Sequence, residues 1–135
     1  MKTIILLLPF LLISIVSKAQ KNNYIGNYEK EIKAITGEIF QYKLEINADS
    51  TFTFHYFRNI GQPQSINENS CGKGTWKIIK NIIHFYTDAE NDINTKYQLN
   101  FTNSKGRFDH KDKKLFRFYH SDIRWIEKLT ILKVD

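Results

Sequence analysis

The 135-residue chain is poor in the residues that cross-link, ligate or punctuate: one cysteine, one methionine, two prolines and six glycines. With Cys71 alone no internal disulfide can form, so stability has to come from packing. The four histidines, His55, His84, His110 and His120, show no H-x-H or H-E-x-x-H spacing and have no paired cysteines beside them, so no metal site is expected. The acidic stretch Asp88-Ala89-Glu90-Asn91-Asp92 begins like a calcium loop. It then places Ile93 where the sharp turn needs glycine and Leu99 where the bidentate acid belongs. No G-x-S-x-G motif occurs, no histidine lies near Cys71 along the chain, and the inward strand positions carry almost no Asp or Glu. Neither catalytic activity nor a cofactor is expected.

Long apolar runs are confined to the start. Lys2 precedes a run from Thr3 to Val16, and Ser17-Lys18-Ala19 supplies small residues at the two positions a signal peptidase reads. Fourteen residues is short for a membrane span. The reading is a leader over 1–19 and a single domain over 20–135, exported to the periplasm or beyond and not membrane-spanning after cleavage. No cysteine follows the run, which argues against a lipid anchor. Loss of Lys2 and Lys18 takes the formal charge from +6 to +4.

What the chain does have is aromatic side chains, ten Phe, seven Tyr and two Trp, arranged with period two. Phe40 to Asn47 alternates cleanly, and so does Thr51 to Arg58. With Asn47 opposite Thr51, the pairs are Ile46 with Phe52, Leu44 with Phe54, Tyr42 with Tyr56 and Phe40 with Arg58. In Gly74 to Thr87, a two-residue loop at Lys80-Asn81 pairs Trp76 with Phe85, Ile78 with Ile83 and Ile79 with Ile82. Asn23 to Lys33 reads as a first strand, with Tyr24, Gly26, Tyr28 and Ile32 on one side. Lys96 to Thr102, Arg107 to His110, Leu115 to Tyr119 and Thr130 to Val134 follow as short strands. Asn59 to Lys73, rich in Asn, Gln, Ser and Gly, reads as a long loop. Ser121 to Leu129 fits either a helical turn capped by Ser121 or Asp122, or a strand.

Several of these stretches together resemble the small lipocalin-like barrels of exported bacterial proteins. They are Gly26-Asn27-Tyr28, the Leu44 to Phe54 hairpin with its Asn47-Ala48-Asp49 loop, Gly74-Thr75-Trp76-Lys77 and the Leu129 to Val134 ending. True lipocalins are longer and carry a tryptophan where Tyr28 stands. The resemblance implies an all-β, antiparallel up-and-down meander and nothing catalytic. The hairpin-length connections point independently to about eight strands closing into a barrel, with a short helix near the C-terminus as one option.

Two functional expectations follow. In the first, the barrel binds a small apolar or amphipathic molecule, with Tyr42, Tyr56 and Arg58 at its mouth and Phe54, Trp76 and Phe85 inside. Arg58 would meet an anionic head group. In the second, the barrel is filled and acts through its surface as an inhibitor, an adhesion module or a partner of an anionic envelope component. The cations for that role lie in the segment from Lys105 to Arg117, with Lys111, Lys113, Lys114 and Arg117 as its anion-binding residues. No nucleic-acid partner is expected, because the aromatics of a single-strand binder are not interleaved with these cations.

Overall fold

The computed structural model describes residues 23–60 and 66–134. The leader predicted over 1–19 lies outside the described residues. The described residues form nine strands: β1 (Gly26–Lys33), β2 (Ile39–Ile46), β3 (Thr51–Asn59), β4 (Asn67–Ile79), β5 (Ile82–Tyr86), β6 (Tyr97–Leu99), β7 (Ser104–Phe108), β8 (Leu115–His120) and β9 (Thr130–Lys133). Eight of them close a ring in the order β1-β2-β3-β4-β5-β7-β8-β9, with β9 pairing back onto β1. Every pairing in the ring is antiparallel. This is the expected meander barrel, and closure leaves its ring without an open sheet edge.

Both hairpins read from the sequence have the expected register, including Tyr42 with Tyr56, Phe40 with Arg58 and Trp76 with Phe85. Lys80 and Asn81 take φ of 52° and 68°, as a type I′ turn requires. The β2–β3 turn holds through Asn47 N–H donating to Thr51 O at 2.9 Å, with Ser50 at φ 70°.

Two segments differ from expectation, and a third, 121–129, takes one of the two forms expected for it, the helical turn. The long loop predicted over 59–73 is mostly strand: β3 runs to Asn59, β4 starts at Asn67, and residues from Thr51 to Asn59 pair continuously with Thr75 to Asn67. Side chains reinforce the pairing, Asn59 Nδ2 donating to Asn67 Oδ1 at 2.7 Å and His55 Nε2 meeting Asn69 Oδ1 at 2.8 Å. The strand expected over 96–102 contributes only β6, which lies outside the ring and runs parallel to β4 at Cys71 and Gly72. Residues 121–129 form a tight turn with helical bonds and no strand pairing: Glu127 N–H donates to Ile123 O at 3.1 Å and Leu129 N–H to Ile126 O at 2.8 Å. Ser121 Oγ caps it by accepting from Ile123 N–H at 3.1 Å.

The inward faces meet in an aromatic core. Tyr28, Phe52, Phe54, Phe85, Phe101, Phe116 and Phe118 are buried almost completely, with Leu44, Ile46, Ile83, Ile126 and Ile131 between them. Each such side chain contributes about 1.5–3 kcal/mol relative to exposure. Rings pack edge to face, Phe52 against Phe85 at 4.8 Å between centroids and Phe116 against Phe118 at 5.1 Å. Phe101 enters this core from the β5–β7 connection. Thr87 Oγ1 anchors it there, donating to Lys73 O at 3.1 Å and accepting from Phe101 N–H at 2.9 Å.

Antiparallel order sorts the connections to two ends. Turns 47–50, 80–81 and 109–114 lie at one end, the base, together with residues 23–25. Tyr24 closes the base: its ring stacks on Phe108 at 4.8 Å and its hydroxyl donates to Asn81 O at 2.7 Å. Connections 34–38, 87–103 and 121–129 lie at the other end, the mouth, together with the paired strand ends Asn59 and Asn67.

Candidate functional site

Along β2 and β3 the inward series runs from aliphatic and phenyl groups at the base to tyrosines and then ions at the mouth. Leu44 and Phe54 are buried, whereas Tyr42, Tyr56, Phe40 and Arg58 are only half-buried. Tyr42 and Tyr56 are cross-strand partners with ring centroids 5.2 Å apart. Burial raises the phenol pKa of both above the ordinary value, and for Tyr56 the neighbouring Tyr42 adds to the rise.

Over this pair stands Trp125, carried by the 121–129 turn. Its ring centroid lies 4.9 Å from Tyr56, 6.4 Å from Tyr42 and 6.1 Å from Phe54, yet the residue is 43% exposed. The turn holds it firmly. Lys128 N–H donates to Phe118 O at 2.7 Å, Ser121 and Ser104 hydroxyls meet at 2.8 Å in the interior, and Ile126 is fully buried beneath. Trp125 is the site residue that sequence reasoning missed. The apolar spacing of Ile123, Ile126 and Leu129 in SDIRWIEKL indicated which residues face the core. It said nothing of where the intervening tryptophan would stand.

Arg58 occupies the outer edge of the same face. Its guanidinium lies 5.5 Å from the Phe40 ring centroid, with Nη2 3.3 Å from Glu38 Oε2 and Nη1 3.6 Å from Glu68 Oε2. Two carboxylates therefore flank one cation. Nε is buried and has no hydrogen-bond partner among the described residues, and a donor left in that condition is costly unless something accepts from it.

The three residues expected to line the interior sit deeper. Phe54 and Phe85 are 1% and 0% exposed and belong to the phenyl cluster. Trp76 stands at the base, where its indole N–H donates to both Asn47 O and Thr51 O at 3.1 Å. The structure thus brings Tyr42, Tyr56, Arg58 and, beneath them, Phe54 together, and holds Trp76 and Phe85 apart from them.

The cations expected on the surface divide. Lys113 and Lys114 line a groove at the base, Lys111 is exposed on the same turn, and Arg117 lies on the outer wall opposite Arg107. Cys71, which sequence placed in a flexible loop, is a buried free thiol within β4, opposite His55 and beside Tyr97 of β6. No group of three or more His, Cys, Asp or Glu that could hold a metal occurs among the described residues.

Fold and site define a small closed eight-strand antiparallel β-barrel with a half-open aromatic mouth. Compared with protein-family models, with curated proteins and with solved structures, the chain has no significant match.

Proposed function

We propose that this protein is an exported lipocalin-like barrel that binds a small amphipathic molecule at its mouth. The observation that carries the reading is Trp125, a large aromatic held in place by its turn, packed on Tyr56 and Tyr42, and left 43% open to solvent. An exposed, pre-positioned aromatic surface beside a few polar groups is the usual make-up of a small-molecule site, because the rings are already ordered before the ligand arrives.

The apolar part of the ligand lies against Trp125, Tyr56 and Tyr42. Its polar part lies at Arg58, whose buried Nε has no hydrogen-bond partner among the described residues. Glu38 and Glu68 already compensate the guanidinium charge, so an uncharged acceptor such as a carbonyl, ether or hydroxyl suits the site better than a full anion. The packing of Phe54, Phe85, Phe101 and Phe118 favours binding above these rings over insertion among them.

The test is a fluorescence titration with a neutral probe that carries a carbonyl acceptor, 6-propionyl-2-dimethylaminonaphthalene, beside the anionic anilinonaphthalene sulfonate. The expected result is quenching of the exposed tryptophan with enhancement of the neutral probe, weakened in Arg58→Ala and in Tyr56→Ala. Equal responses to both probes would remove the assigned polarity, and no response to either would overturn the reading.

A further inference from the structure

The base of the barrel carries a second feature. A groove of about 490 Å³ is lined by Asn23, Phe108, Lys113, Lys114, Lys133 and Val134. Among the described residues that line it there are three cations and no carboxylate. Asp109 and Asp112, the acids of the adjacent turn, bond to its backbone: Asp109 Oδ1 accepts from Lys111 N–H at 2.7 Å and Asp112 Oδ1 from Lys114 N–H at 3.0 Å. Those bonds shape the 109–114 turn, whose three lysines are exposed. Lys133 is fixed at the groove floor, its Nζ donating to Asn23 O at 2.8 Å and lying 6.0 Å from the Phe108 ring centroid. Among the described residues, none of the three lysines has a salt-bridge partner.

Beside the groove the outer wall carries exposed aliphatic side chains, next to the exposed Glu29 of β1 that pairs with Leu132. Leu132 is 45% exposed and Val134 51% exposed, and Leu132 pairs with the half-buried Leu115 of β8. Arg117 and Arg107 lie farther along the same wall. Cations around a shallow pocket, with aliphatic side chains at its rim, match the surface of an anionic bilayer. Phosphates meet the lysines there, and the aliphatic groups enter the headgroup boundary. A soluble anion would use the lysines and leave Leu132 and Val134 without a role.

We propose that the base of the barrel is a docking surface for an anionic lipid membrane, with a lipid phosphate seated among Lys113, Lys114 and Lys133 and with Leu132 and Val134 as the apolar contact. Docked this way, the barrel holds the mouth away from the bilayer, and the two sites act independently.

The experiment is cosedimentation of the chain from Gln20 to Asp135, which contains all nine strands and excludes the apolar leader stretch, with phosphatidylglycerol or phosphatidylcholine vesicles. Binding to the anionic vesicles is expected to exceed binding to the zwitterionic ones by about tenfold or more and to weaken with added salt. Lys113→Glu with Lys114→Glu should abolish it. Leu132→Ser with Val134→Ser should reduce it while circular dichroism shows the barrel intact, and Trp125→Ala should leave it unchanged. Equal binding to both vesicle types, or binding indifferent to the lysine reversals, would overturn the proposal. So would full competition by soluble glycerol phosphate combined with indifference to the Leu132 and Val134 changes, since that pattern identifies a site for a free anion.

Discussion

Trp125 and Tyr56 lie with ring centroids 4.9 Å apart although they reach each other from opposite sides of the sequence, one in the 121–129 turn and one in β3. Trp76, the other tryptophan, is 3% exposed and bonded to the base. The two indoles therefore report on different ends of the molecule. Trp125→Ala removes an exposed ring whose supporting turn is held by Ile126, Ser121 and backbone bonds. It is expected to cost no more than about 1 kcal/mol of stability while removing most of the binding of 6-propionyl-2-dimethylaminonaphthalene. Acrylamide should quench roughly the Trp125 share of the wild-type emission and almost none of the variant's. A variant that retains full probe binding would show that the rings are packing alone.

The alkaline limit of stability should be set by the tyrosines at the base. Tyr28 is fully buried and donates its hydroxyl to Tyr24 O at 2.6 Å, and burial drives its pKa far above the ordinary 10.0. Tyr24 is raised as well, again chiefly by burial. A folded-state pKa above the unfolded one means that the folded protein holds its proton more tightly. The stabilisation is complete below about pH 10 and declines as pH rises, because only the unfolded chain ionises easily there. Denaturation followed by tyrosinate absorbance should show these two phenols ionising together with unfolding. Tyr28→Phe should lower stability by about 1 kcal/mol at neutral pH through the lost hydrogen bond, and it should flatten the decline above pH 10. An unchanged slope would mean that Tyr28 is not one of the groups responsible.

The parts of the fold that could be read from the sequence are those set by near neighbours. Phe40 to Arg58 alternates without interruption around a short turn, so one assumption about the turn determines the whole register. The upper half of β4 could not be read this way, since Asn67 to Lys73 has the composition of a loop. Its glycines are there because of distant residues: a Cβ on Gly72 would stand 2.5 Å from the Phe101 ring, and one on Gly74 would stand 1.9 Å from Tyr86 O. The same limit applies to the site. Tyr42, Tyr56 and Arg58 were legible because they share a strand face. Trp125 arrives through the folding of another connection, and Glu68, which offsets the charge of Arg58, lay in the stretch taken for a loop.

These two glycines give a graded prediction. At Gly72 an added methyl meets a buried ring, and the ring can shift only by disturbing Phe52, Phe54 and Phe85. At Gly74 it meets backbone at the point where β5 leaves β4, where Thr75 pairs with Tyr86. Gly72→Ala is expected to cost about 1–3 kcal/mol, the usual range for overpacking. Gly74→Ala should cost more, because a main-chain carbonyl cannot rotate out of the way without breaking the ladder. Chemical denaturation of the two variants checks the order, and the reverse order would locate the rigid part of this wall at Phe101.

The Lys80-Asn81 turn offers the opposite sign of change. Both residues sit in the left-handed region, at φ 52° and 68°, where a lysine Cβ crowds the following carbonyl at a cost of roughly 1–2 kcal/mol. The strands on either side, Thr75 to Ile79 and Ile82 to Tyr86, need this turn because its twist matches theirs. Tyr24 uses the Asn81 carbonyl, a main-chain atom, so replacing the side chains leaves that bond available. Lys80→Asn with Asn81→Gly installs the pair that this geometry favours most and is expected to stabilise the barrel by about 0.5–1 kcal/mol. Lys80→Val should destabilise it, since a β-branched side chain tolerates this conformation worst. Thermal melts of the three proteins should rank Asn-Gly above wild type above Lys80→Val. If the Asn-Gly variant melts no higher than wild type, the turn imposes no strain on the base.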